Sequence, residues 1–194
     1  MAERTFFPRT PGKGVDIPAS VMKRRIARFD DLPEDPEAFI DHDDKTRRRR
    51  TAYAISPGNI GGPAAISDPH GFHLLMITAE KGKMPPSHAH PHNEVFMCLE
   101  GRFAVYWGIN SEDKIKRGEP DIILEKFDMV SVPPGTMRTF CSLTDEPGTL
   151  MTIFDTFGDP NIGVVVPPEL YASMYQPTEA AFYTAMEKDM QQDQ

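Results

Sequence analysis

The sequence has very little cysteine: Cys98 and Cys141 are the two cysteines among 194 residues. Two widely separated cysteines in a chain of this length do not make the disulfide framework of a small secreted domain. The sequence has no run of about 18 apolar residues that could span a bilayer. Its first residues also lack the apolar segment of a signal peptide. We therefore expect a cytoplasmic protein that is held together by its own core.

The sequence also lacks an excess of positive charge. It has 21 basic and 29 acidic residues, which gives a net charge of -8. This balance disfavours nucleic acid or an anionic membrane as the main partner. A basic run at residues 45–50 follows an acidic stretch at residues 30–44, and we expect the two to pair or to be solvated. Nucleophile elbows, phosphate-binding loops and dinucleotide fingerprints are missing too.

Proline and glycine are plentiful, with 19 and 14 residues, and they separate short segments of β-like composition. Eight segments are predicted to be strands: Thr51–Ser56, Phe72–Ala79, Glu94–Glu100, Arg102–Ile109, Asp121–Glu125, Met129–Pro133, Arg138–Leu143 and Thr149–Phe157. Helix signals are confined to the ends, chiefly beyond residue 166. We predict an all-β barrel at residues 51–158, an N-terminal extension at 1–50 and a helical C-terminal tail at 159–194.

The segment KGKMPPSHAHPHNEVFMCLEG, residues 81–101, gathers three histidines and a glutamate. His88 and His90 share one face of an extended strand, and Glu94 has the same parity. Neutral imidazole and carboxylate suit a first-row divalent metal ion. His92 has the same parity, but the sequence HPH also fits a loop at the mouth of a barrel, so a ligand role and a rim role both stay open.

The spacing of Gly82, His88, His90, Glu94 and Gly101 resembles the first motif of the cupin superfamily without a mismatch. This resemblance implies a double-stranded β-helix, a jelly-roll barrel with a divalent metal inside, covering about residues 50–158. The implied metal ligands are His88, His90 and Glu94. Iron is the expected metal, with manganese, nickel or zinc as alternatives. The resemblance also favours a homodimer.

The segment FDMVSVPPGTMRTFCS, residues 127–142, resembles the second motif of the same family. Pro133 and Gly135 match that motif. Phe127 stands where the family has a glycine, and Ser142 stands where an asparagine is usual. Arg138 stands where the family has its fourth metal ligand, a histidine. Arginine has no lone pair to donate to a metal, so the fourth ligand is not carried over.

Arg138 leaves two interpretations open. In the first, the metal stays on His88, His90 and Glu94, and Arg138 acts in catalysis by holding a substrate carboxylate or enolate. The protein would then be a metal-dependent enzyme, most simply a non-haem Fe(II) oxygenase acting on a small organic anion. A non-redox isomerase or lyase is the nearest alternative. In the second, Arg138 pairs with Glu94 and repels a dication, and the barrel binds a small ligand without catalysis.

Other residues are weaker candidates for the site. His70 and His73 could complete the ligand set, although a satisfied structural histidine is commoner. Asp155 is a candidate general base if it points inward, and a surface position is the alternative. Parity places Phe96 and Phe140 in the pocket lining. An apolar, aromatic lining around one arginine suits a small organic anion.

Overall fold

The computed structural model describes residues 16–39, 50–58, 63–68, 71–155 and 162–166. The helices are α1 (Ala19–Lys23), a short 3₁₀ helix (Phe29–Asp31) and α2 (Ser111–Arg117). The strands are β1 (Arg50–Ala54), β2 (Phe72–Ala79), β3 (Glu94–Glu100), β4 (Phe103–Trp107), β5 (Ile122–Leu124), β6 (Met129–Val132), β7 (Arg138–Ser142) and β8 (Gly148–Asp155). Each predicted strand corresponds to one of these eight, and the all-β class is confirmed.

The strands form two antiparallel sheets. The larger sheet has the order β1-β2-β8-β3-β6, and the smaller has the order β5-β4-β7. Buried and half-buried residues alternate along β2 and β8, as expected for strands that turn one face to a core. The core between the sheets contains Leu75, Phe96, Phe103, Leu124, Phe140 and Leu150. The architecture is that of a jelly-roll barrel.

The glycines of both sequence motifs occupy turns that need left-handed backbone. Gly82, Gly101 and Gly135 have φ angles of 75°, 82° and 72°, a region that glycine enters without a steric penalty. Phe127, which replaces the glycine of the second motif, has a φ of 73°. The turn therefore has left-handed backbone at this position as well, and Phe127 carries the strain.

The helix α2 corrects one prediction, since helix signals had been placed only at the ends of the chain. Glu112 and Asp113 lie in its first turn and Arg117 in its last, which complements the helix dipole. Gly118, with a φ of 67°, ends the helix. Charge and capping, rather than an apolar stripe, define this helix, so hydrophobic periodicity did not reveal it. The predicted C-terminal helices lie outside the described residues.

Segments beyond the predicted barrel also pack on it. Asp35 forms an isolated bridge with Ala52, and Val165 forms one with Ala89. The boundaries at residues 50 and 158 stay predictions. Among the described residues, no helix is long and apolar enough to cross a membrane.

Several apolar side chains are exposed near the sheet edges formed by β5 and β6, namely Ile122, Ile123, Phe127 and Met129. Strand edges and apolar side chains of this kind are commonly covered by a partner. The homodimer stays a prediction.

Candidate active site in the barrel

A cavity of about 210 Å³ lies between the two sheets. Its polar lining residues are His88, His90, Glu94 and Thr152. Most of the remaining lining is apolar, with three phenylalanines on the strands: Phe96, Phe140 and Phe154. The three predicted metal ligands therefore line one cavity, as do the two predicted aromatic residues.

Hydrogen bonds fix the two histidines in a defined tautomer. Nδ1 of His88 donates to the carbonyl oxygen of Pro86 over 2.8 Å. Nδ1 of His90 donates to the carbonyl oxygen of Gly163 over 2.5 Å. Since a carbonyl oxygen only accepts, the proton of each neutral ring lies on Nδ1. Nε2 is then the unprotonated nitrogen of both rings, as in most metal-binding histidines.

The two rings lie close together at one end of the cavity. The ring centroids of His88 and His90 are 5.0 Å apart, and the rings are nearly perpendicular. The His90 ring also packs edge-on against Phe154, with 4.9 Å between centroids. The apolar wall therefore holds the orientation of at least one imidazole.

Arg138 and Glu94 form a buried ion pair. Nε and Nη2 of Arg138 donate to Oε2 of Glu94 over 2.7 and 2.5 Å. Nη1 donates to the carbonyl oxygen of His88 over 3.1 Å. The Arg138 and Glu94 side chains are only 1% and 5% exposed. Each guanidinium nitrogen of Arg138 thus has a protein partner.

The ladder geometry explains this pairing. Residues 88 and 138 form an isolated antiparallel bridge, in which each main-chain N–H donates to the other's carbonyl oxygen. Side chains of directly opposed residues lie on the same face. The Arg138 side chain therefore lies on the same face as His88, next to Glu94.

Burial changes the pKa of both partners of the ion pair. Burial raises the pKa of Glu94 well above its ordinary value. Burial also lowers the pKa of Arg138 to about 9. Arg138 remains protonated near neutral pH, and its two hydrogen bonds to Oε2 favour the carboxylate form of Glu94.

The family resemblance implies a divalent metal, and the donor chemistry fits one. Nε2 of each histidine is unprotonated, and no described donor contacts Oε1 of Glu94. Arg138 then holds the opposite carboxylate oxygen, a common arrangement for a ligating carboxylate. Within the described residues, no three His, Cys, Asp or Glu side chains are yet gathered closely enough for a metal ion. Metal binding would therefore require these side chains to close on it.

Arg138 was predicted to hold the substrate, but it does not line the cavity. Glu94 stands between the guanidinium and the open space, and the described contacts of Arg138 are with Glu94 and His88. This is the ion pair of the second interpretation drawn from the sequence. The geometry makes Arg138 a positioning group for Glu94.

His92 and Asp155 lie together outside the cavity lining. Nδ1 of His92 is 3.6 Å from Oδ1 of Asp155. The main-chain N–H and the side-chain amide of Asn93 donate to the Asp155 carboxylate over 3.1 and 2.5 Å. Asp155 thus ties down the loop that follows His90, which favours the rim role for His92.

His73 is fully buried but does not line the cavity. Its Nδ1 is 2.9 Å from the carbonyl oxygen of Ser56, and its ring stacks on Phe154. The structural interpretation of His73 therefore holds. His70 lies outside the described residues.

Sequence reasoning missed several residues of the site. Thr152 lines the cavity, and the parity of β8 could have placed it there beside Phe154. Ala38 and Phe39 from the N-terminal segment and Ile162 and Val164 from beyond β8 also line it. No local signal indicates that these segments return to the barrel.

Comparisons with known proteins agree with the architecture. Residues 75–154 match the family model described as a cupin domain. No curated protein matches the sequence.

Solved structures resemble parts of the fold at low identity. The DMSP lyase DddQ from Ruegeria pomeroyi is 24% identical, with 61% of this chain and 51% of that chain covered and a TM-score of 0.42. A cupin 2 domain-containing protein from Halorhodospira halophila is 18% identical, with 65% and 76% covered and a TM-score of 0.46. An oxalate oxidase is 16% identical, with 64% of each chain covered and a TM-score of 0.43. The chain spans about half the length of the DMSP lyase structures that it matches, 51% and 52%. At these identities, the similarities concern the fold alone.

Proposed function

We propose that this chain, whose residues 75–154 match a cupin domain, is a metal-dependent enzyme that acts on a small organic anion. His88, His90 and Glu94 are the proposed ligands of a divalent metal. A non-haem Fe(II) oxygenase is the specific activity that we propose. A non-redox isomerase or lyase that uses manganese, nickel or zinc is the alternative on the same site.

The hydrogen-bond pattern of the three proposed ligands is the observation that carries this proposal. One heteroatom of each side chain has a hydrogen-bond partner among the described residues: Nδ1 of His88, Nδ1 of His90 and Oε2 of Glu94. The second heteroatom of each is a lone-pair donor on a residue that lines the cavity. Two histidines and one carboxylate are the protein ligands typical of non-haem Fe(II) oxygenases.

The charges of the site favour an anionic substrate. The hydrogen bonds of both histidines suit a neutral ring with its proton on Nδ1, and Arg138 cancels the negative charge of Glu94. The protein thus adds no net charge beside the metal. A bound divalent metal would supply Lewis acidity, and iron would supply chemistry with dioxygen. A substrate carboxylate or enolate would complete the charge balance.

The dimensions of the cavity limit the substrate. Its volume is about 210 Å³, whereas a dry cavity of about 150 Å³ accommodates benzene. At the same ratio, a compound of roughly eight non-hydrogen atoms would fill it. The walls of Phe96, Phe140 and Phe154 favour an apolar or aromatic body.

Metal titration of the purified protein tests the proposal. Protein stripped with a chelator is titrated with Fe²⁺ under anaerobic conditions and with Mn²⁺, Ni²⁺ and Zn²⁺. We expect one ion per chain for at least one metal, and at least tenfold weaker binding in His90→Ala. His92→Ala is the matched control, because His92 belongs to the same segment but does not line the cavity.

Oxygen uptake by the iron-loaded protein then separates the oxygenase from the alternatives. Uptake that depends on one member of a panel of aromatic and keto acids supports the oxygenase. Bound metal without uptake supports the isomerase or lyase. Absence of stoichiometric binding for all four metals would refute a metal-dependent function.

The buried ion pair favours one second candidate, a metal-free cupin that binds a small ligand. Arg138 already neutralises Glu94, and its positive charge opposes a dication nearby. The substitution Arg138→His distinguishes the candidates, because it restores a fourth ligand and removes that charge. For a metal enzyme we expect the wild-type protein to bind metal and Arg138→His to bind it more tightly. If wild-type protein binds an organic anion but no metal, and only Arg138→His binds metal, the second candidate is supported.

A further inference from the structure

Thr152 presents a polar group that the proposed metal chemistry does not use. Its side chain lines the cavity and is fully buried. Its hydroxyl oxygen Oγ1 has no hydrogen-bond partner among the described residues. Burying an unpaired hydroxyl lowers stability, whereas valine would fill the same space without that penalty. A ligand with a polar group would remove the penalty.

The sheet around Thr152 offers few hydrogen-bond partners to its hydroxyl. The strand β8 pairs with β2 on one side and β3 on the other, and Thr152 lies opposite Leu75 and Phe96. Main-chain polar groups of a central strand are engaged in the two ladders. The neighbouring residues on the same face of β8 are Leu150 and Phe154. The Thr152 side chain lines the cavity, so the cavity is the side from which a polar partner could approach its hydroxyl.

The strand register gives the distance of Thr152 from Glu94 along the sheet. Glu94 pairs with Phe154, and Phe96 pairs with Thr152. Thr152 thus lies two strand positions from the level of Glu94, which corresponds to about 7 Å along the strand. A molecule anchored at the histidine and glutamate end would bring a second substituent to this depth.

We propose that Thr152 determines specificity by hydrogen bonding to a hydroxyl or carbonyl group of a small organic acid, about 7 Å from the acid's carboxylate. The carboxylate lies at the end of the cavity formed by His88, His90 and Glu94. The apolar body contacts Phe96 and Phe140. This inference rests on the proposed function in taking the cavity as the substrate site and the metal as the group that binds the carboxylate.

Calorimetric titration with benzoate, 3-hydroxybenzoate and 4-hydroxybenzoate tests the inference. These probes share one body and differ in a single hydroxyl. We expect one hydroxybenzoate to bind wild-type protein about tenfold more tightly than benzoate. We expect Thr152→Val to abolish that advantage while leaving benzoate affinity unchanged. The titrations are made with and without bound metal, so a failure of the metal proposal is seen separately.

Ser142→Ala is the matched control. Ser142 is also buried, and its hydroxyl also lacks a partner among the described residues. Ser142 does not line the cavity, so its substitution is expected to leave the preference for the hydroxybenzoate unchanged. A preference that persists in Thr152→Val, or an equal loss of affinity for all three probes, overturns the inference.

A crystal structure of the wild-type protein provides a test that needs no affinity. A water or ligand oxygen in the cavity within about 3.2 Å of Thr152 Oγ1 supports the inference. A protein acceptor bonded to Oγ1 overturns it. This readout decides the question even if none of the three benzoates binds.

Discussion

Removing the guanidinium of Arg138 is expected to destabilise the protein strongly. The substitution Arg138→Met replaces the arginine by an unbranched apolar side chain. It leaves Glu94 buried without its partner. The carboxylate would lose hydrogen bonds of 2.5 and 2.7 Å, and its side chain is only 5% exposed. Water therefore cannot replace the lost donors.

The size of the effect follows from the geometry. Two unit charges about 4 Å apart attract by about 4 kcal/mol at an effective dielectric constant near 20. Breaking a buried pair by removing one partner costs about 3–5 kcal/mol. We therefore expect the free energy of unfolding to fall by about 4 kcal/mol, with a drop in Tm of about 10 °C.

Urea unfolding measured by tryptophan fluorescence is a suitable assay. Trp107 is the sole tryptophan, and it pairs with Arg138 between β4 and β7. The double substitution Arg138→Met with Glu94→Met replaces both charges by apolar groups. We expect it to recover most of the loss, because neither charge is then left unpaired.

An exposed arginine–glutamate pair provides the control. Arg102 and Glu125 are 2.8 Å apart, but their side chains are 49% and 57% exposed. We expect Arg102→Met to cost less than about 1 kcal/mol. The reasoning is refuted if Arg138→Met costs no more than Arg102→Met. It is also refuted if the double variant loses as much as both single variants of the buried pair added together.

Two further predictions concern the backbone. Phe127→Gly is expected to raise the free energy of unfolding by roughly 1 kcal/mol, because it relieves a φ of 73° at a side chain that is 62% exposed; a lower urea midpoint would contradict this. Gly58→Ala is expected to cost about 1–3 kcal/mol, because a Cβ there would lie 2.1 Å from Nδ1 of the buried His73. Gly71→Ala is its control, since a Cβ at Gly71 meets nothing within 4 Å, and equal midpoints for the two alanine variants would contradict the argument.

The sequence predicted most of the barrel because its signals are local. Strand composition and turn residues located all eight strands. The spacing of Gly82, His88, His90, Glu94 and Gly101 indicated the cupin family and the side chains that share one cavity. Strand periodicity and left-handed turns depend on neighbouring residues, so they can be recognised without a partner segment. The helix α2 was missed because its signals were charges and a cap instead of an apolar stripe.

The tertiary structure decided what each side chain contacts. Arg138 reaches Glu94 across 44 positions of the sequence, and His90 reaches the carbonyl of Gly163 across 73. From the sequence alone, Arg138 could have been a substrate anchor or the partner of Glu94. Parity assigns a face to a residue, but only the closure of two sheets determines which side chains meet across the barrel. The sequence therefore determined the fold and the candidate ligands, and the folded barrel determined which heteroatoms of those ligands bond to the protein.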